Sequence, residues 1–298
     1  MHPRGILLKK VKVNTEMMKS IEGLSKHYWD PGSTAPVFHE PKELEEIKDS
    51  WWHSLLFLLD RTFYRGRSDE LSARFEKITI NALKKILCEP DEKIPSIDKV
   101  LQLYNQGYLD YTKYGYTTKR EAQGHSSELK EALDKKYPFD STKPKKKSIT
   151  GRKTDREMVI DSLRLVSKLK RYNHSLIKYT IDNVTNENLS HIYDKVTGIR
   201  YVGPKTGSLF IRDAVVIYQL EDYLEDNDYQ YVQPVDTWVR QMCEHFGWIE
   251  ENTKTENVVK IMTQECKKAD VSPLRFNQGL WYLGSHALDL LLEGFSLH

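Results

Sequence analysis

The sequence predicts an all-α protein, and three observations carry that reading. Apolar residues recur at three- and four-residue steps through nearly every patterned segment. Sustained two-residue alternation is scarce, and several segments open on helix-entry residues such as Pro41, Ser68 and Thr154.

Pro41 starts a long helix whose apolar stripe is Trp51, Leu55, Leu58 and Leu59, ending near Gly66. Ser68, followed by Asp69 and Glu70, restarts a helix through Leu71, Phe75 and Ile78, as an N-cap with first-turn acids should. The two helices flank a basic turn, 61–67. The tyrosine-rich stretch 104–116 is interrupted by Gly107 and Gly115 and reads as irregular. A shorter helix, 127–136, precedes a lysine-rich run with Pro144 and Gly151, which reads as an exposed loop over 143–153. Thr154 and Glu157 then form a capping-box pair before an amphipathic helix carrying Met158, Leu163, Val166 and Leu169. Further helices follow over 189–196, 206–218, 237–246, 257–266 and 273–292.

A chain of 298 residues, 39% hydrophobic and 30% charged, is long enough for two helical lobes around separate cores. The expected division is a middle bundle over 61–229 and a second lobe in which 1–60 rejoins 230–298. Mean hydropathy is -0.62, and no run approaches the ~18 apolar residues of a membrane span. The N-terminal segment lacks a signal-peptide core, so an intracellular setting is expected, in cytoplasm and nucleoid or in a nucleus. The three cysteines Cys88, Cys243 and Cys266 are too few and too scattered for a disulfide framework or a four-thiolate cluster. With a net charge of only +2, nucleic-acid affinity has to come from local patches.

Chemistry concentrates in Gly198-Ile199-Arg200-Tyr201-Val202-Gly203-Pro204-Lys205-Thr206-Gly207, a glycine-bearing turn between two helices. Turn amides together with a helix N-terminus suit an anion such as phosphate. A nucleotide-binding P-loop is disfavoured: Pro204 separates Gly203 from Lys205, and a helix stands where a P-loop needs a strand. A second segment, Pro234-Val235-Asp236-Thr237-Trp238-Val239-Arg240, places Asp236 as N-cap of a helix 31 residues beyond Lys205. A third is Phe276-Asn277-Gln278-Gly279-Leu280-Trp281-Tyr282-Leu283-Gly284, which reads equally as an amphipathic core helix.

Together these segments resemble the helix-hairpin-helix DNA glycosylases, of the endonuclease III and oxoguanine glycosylase type. That family carries Gly-hydrophobic-Gly, one variable residue, then Lys-Thr-Ala, and further on Val-Asp-Thr-His. Tyr201 stands where the family has its first glycine, and Gly207 replaces the alanine. The connection to Asp236 is longer than in the endonuclease III branch, through the acidic stretch 220–231.

The resemblance implies a helix-hairpin-helix motif with an active site in a cleft between two lobes. It implies base excision from double-stranded DNA with Lys205 attacking C1′ of a flipped nucleotide. A Schiff base and β-elimination would follow, with Asp236 stabilising the cationic sugar. A lysine nucleophile must be neutral, and desolvation and a helix N-terminus both favour that form. DNA contacts are then expected from Gly198, Arg200, Val202, Gly203 and Thr206, with Arg61 and Arg65 as phosphate contacts and Tyr64 as a wedge. Asn277, Gln278 and Trp281 are expected to line the base pocket. The four cysteines that hold an iron-sulfur cluster in some relatives are not matched, so no cluster and no metal cofactor is expected. The hairpin carbonyls of relatives often hold a monovalent cation. The protein is expected to act as a monomer. The alternatives are a monofunctional glycosylase and a noncatalytic hairpin that only binds DNA.

Overall fold

The computed structural model describes residues 13–28, 41–63, 69–89, 92–106, 109 and 151–296. The fold is all-helical, with no strand among the described residues. No helix among them is long and apolar enough to cross a membrane. The chain divides into two compact units, one of residues 38–210 and one of 1–37 with 211–298. The sequence reading set its boundaries at 61 and 229; these two units meet in sequence at 38 and 210. The helix Trp51–Phe63 belongs to the middle unit because Leu55, Phe57, Leu58 and Leu59 are completely buried there.

In the unit 38–210 the helices Pro41–Asp49 and Trp51–Phe63 pack against the helix Leu176–Thr185. Trp51–Phe63 also packs on Asp69–Leu87 and Gly151–Ser167. One long helix from Pro41 was expected. It breaks at Ser50, whose hydroxyl accepts the His53 amide at 3.3 Å and so caps the second helix. The helix Leu176–Thr185, not anticipated from periodicity, is capped by the Ser175 hydroxyl on Lys178 N. Its entry is locked from outside: Ser54 Oγ accepts the Leu176 amide, and Ser175 Oγ donates to the Lys48 carbonyl.

The helix Gly151–Ser167 begins inside the segment expected as a loop. Thr154 and Glu157 therefore lie within it and do not form the expected capping box. The stretches 110–150 and 64–68 lie outside the described residues, and with them the helix 127–136, the lysine-rich run, Tyr64 and Arg65.

Near Arg61 in this unit, burial pushes the Glu76 carboxyl up to about 7, against the Arg61 guanidinium and a hydrogen bond with Asp60. A carboxyl raised on folding binds its proton more tightly in the native state. Its contribution is therefore present at low pH and lost as pH rises from the unfolded value toward about 7. Unfolding free energy should fall by about 1–3 kcal/mol between about pH 5 and about pH 8, and Glu76→Gln should flatten that slope. Urea titrations of both proteins across this range check it; parallel slopes would refute the assignment to Glu76.

In the unit of 1–37 and 211–298, Met18 and Ile21 from the helix Thr15–Gly23 meet Val239, Cys243, Val258, Met262, Phe276 and Leu280 in one core. These come from the helices Thr237–His245, Thr255–Lys268 and Pro273–Ser296. Cys243 and Cys266 are buried free thiols of this core, and burial pushes the Cys243 thiol up to about 12.

Candidate functional site

The turn that carries Lys205 is built from the helix Leu189–Thr197, six connecting residues and the helix Pro204–Ile217. The first helix closes as Gly198 N and Ile199 N donate to the carbonyls of Asp194 and Val196. Tyr201 takes a left-handed backbone, φ 65°, with its ring 46% exposed. A side chain in this backbone region is strained. Val202 turns inward, 4% exposed, and its amide donates to the Ile199 carbonyl. Pro204 opens the next helix with its φ already set. Gly203 has open space where a Cβ would sit.

The two helices cross closely. A Cβ on Gly207 would lie 2.6 Å from the Thr197 methyl, whose rotamer is held by a 2.8 Å bond from its hydroxyl to the Tyr193 carbonyl. The crossing therefore leaves no room for a side chain at position 207. Thr206 is buried, and its hydroxyl donates to the Gly203 carbonyl at 3.1 Å. The same carbonyl accepts the Gly207 amide. Thr206 therefore closes the helix start and does not face outward as a DNA contact.

Arg200 was expected to meet phosphate. Its amide donates to Asp161 Oδ2 at 3.1 Å, and its guanidinium lies 3.7 Å from Asp161 and 3.6 Å from Glu157. Both carboxylates come from the helix Gly151–Ser167, so the turn is moored to that helix. Burial pushes the Asp161 carboxyl up, opposed by the Arg200 amide and by the Arg164 and Arg200 charges.

Lys205 stands in the first turn of its helix and is exposed. The helix start expected for it is present; the desolvation expected for it is not. Arg61 is corrected more sharply. It lies within the helix Trp51–Phe63 and is 2% exposed, bonded to Asp60 at 2.9 Å with its guanidinium 3.7 Å above the Phe57 ring. A buried guanidinium cannot reach a DNA phosphate.

Lys205 belongs to the unit 38–210, and Asp236 to the unit of 1–37 with 211–298. Asp236 is the N-cap of the helix Thr237–His245, its Oδ1 accepting the Val239 amide at 2.9 Å. It is half-buried.

Near Asp236 lies a polar network built on Arg212 and Asp213, a pair that sequence patterning did not single out. Arg212 and Asp213 are 1% and 0% exposed, yet ionic. Arg212 donates through Nε and Nη2 to Asp213 Oδ1 at 2.9 and 2.8 Å. Tyr28 donates its hydroxyl to Asp213 Oδ2 at 2.9 Å, and its ring sits 4.8 Å from the Arg212 guanidinium. Asn277 and Gln278 are completely buried. Asn277 accepts from Arg212 Nη1 at 2.6 Å and donates to the Pro234 carbonyl at 3.1 Å, so its amide is spent on protein partners. Gln278 donates to Asp213 at 3.4 Å, while among the described residues its Oε1 finds no partner. Gln233, 2% exposed, likewise finds none among them for either amide atom. Trp281 is half-buried, its ring edge-on to Tyr28 at 5.4 Å. The sequence signal for the network was an adjacent Arg-Asp pair inside the apolar run Phe210-Ile211 to Ala214-Val215-Val216.

Among the described residues no three His, Cys, Asp or Glu side chains come together as a metal site. No family model, curated protein or solved structure matches the chain.

Proposed function

We propose that the protein is a DNA base-excision glycosylase with abasic-site lyase activity, Lys205 supplying the amine and Asp236 the carboxylate. The observation that carries the reading is the turn before Lys205. A left-handed Tyr201 backbone at the family's glycine position, an inward Val202 and an open Gly203 lead directly into a helix start. Such a turn offers backbone amides and a positive dipole end to a DNA phosphate and sets Lys205 beside it. Asp236, oriented by its cap bond, suits stabilisation of a cationic sugar.

Borohydride trapping on a duplex with one abasic site tests the proposal. A covalent adduct is expected, lost in Lys205→Gln. Absence of an adduct with duplex binding intact would refute the lyase step. One observation favours the noncatalytic reading: Lys205 is exposed, as a phosphate-contacting lysine would be. In that case Lys205→Gln weakens duplex binding and lowers its salt dependence, and no adduct forms with either protein.

A further inference from the structure

We propose that Asn277 is a positioning residue, a brace that ties buried Arg212 to the turn bearing Asp236, and not a reader of the base. This rests on the reading of Asp236 as a functional carboxylate. All the residues involved lie in the unit of 1–37 with 211–298.

A carboxamide presents an acceptor and a donor side by side, and which end faces which neighbour is decided by the neighbours. Arg212 has only donors, so it fixes the Asn277 oxygen toward itself, at 2.6 Å. The Asn277 nitrogen is thereby turned to the Pro234 carbonyl, at 3.1 Å. Arg212 cannot drift, because Asp213 holds two of its nitrogens and Tyr28 covers its face. The rigid chain therefore runs Tyr28, Asp213, Arg212, Asn277, Pro234 and ends two residues before Asp236. Burial opposes the Arg212 charge, and the charges of Asp213, Tyr28 and Asp236 together outweigh it. A base-reading side chain needs hydrogen-bonding capacity left over for the ligand. Asn277 is completely buried with both ends engaged, whereas its neighbour Gln278 keeps a spare oxygen.

Two variants separate a brace from a charge-neutralising residue. Asn277→Ala removes both bonds. Asn277→Asp keeps an acceptor for Arg212 but cannot donate to Pro234 while ionised. Hydrogen exchange at the Val239 amide, the donor to Asp236, reads the turn directly. The Val258 amide, bonded to the Lys254 carbonyl in the same unit, serves as reference.

In both variants the Val239 amide should exchange about tenfold faster or more, with Val258 little changed. The trapping rate on abasic duplex should fall about tenfold at unchanged Kd. Restoration of exchange and rate by Asn277→Asp would overturn the brace, and so would equal acceleration at Val239 and Val258. A loss confined to Kd would also overturn it, since Asn277 would then touch DNA. If the parent protein forms no adduct, the functional reading fails by itself, and the exchange data still decide the brace.

Discussion

Replacing Gly279 by alanine should lower stability by about 3 kcal/mol or more, the upper end for overpacking. A Cβ there would overlap the carbonyl oxygen of Ile21, and backbone cannot swing aside as a side chain can. Glycine inside the helix Pro273–Ser296 costs helix propensity, about 1 kcal/mol against alanine, so an open site would gain from the change. Here the close approach of the helix Thr15–Gly23 reverses the sign. Gly23, the last residue of the helix Thr15–Gly23, is the natural control. A Cβ there would meet nothing within 4 Å. Gly23→Ala should therefore cost far less. Urea unfolding of the two variants makes the comparison, and equal losses would show that helix crossing does not set the penalty.

Asp213→Asn should destabilise by about 3–5 kcal/mol, because it strands a buried guanidinium. Asp213 takes two Arg212 nitrogens and the Tyr28 hydroxyl at full burial, and asparagine preserves the shape while removing the charge. The Asp236 charge also favours the Arg212 guanidinium but is half-buried, so it offsets only part of the loss. A double replacement, Arg212→Met with Asp213→Leu, should recover most of the stability, since buried ion pairs exchange for apolar residues at little cost. Its Asn277 would lose the partner that orients it, so trapping activity should not recover with stability. Thermal melts and trapping rates on the same samples check both halves. Failure of the double variant to regain stability would mean that the cost lies in packing and not in charge.

Local sequence reached the fold class and the positions of most helices, because amphipathic periodicity follows directly from which face each helix buries. The capping role of Asp236 was equally legible: an N-cap is decided by a side chain and the amide three residues on. The helix Leu176–Thr185 was missed. Its entry is settled by Ser54 and the Lys48 carbonyl, more than a hundred residues away in sequence.

The hairpin shows the divide most clearly. Sequence placed Lys205 one residue past a glycine turn, and the chain folds it there, at the start of the helix Pro204–Ile217. Only the tertiary structure decided what surrounds it. Arg200, Arg61 and Thr206 all read as outward DNA contacts from their residue types. The partners that claim them are Asp161 with Glu157, Asp60 with the Phe57 ring, and the Gly203 carbonyl. Asn277 likewise read as a pocket residue until Arg212 claimed its oxygen. Charge and hydrogen-bonding capacity are properties of a residue, and sequence reports them. Whether that capacity is already spent depends on which distant groups the fold brings within about 3 Å, and that is a property of packing alone.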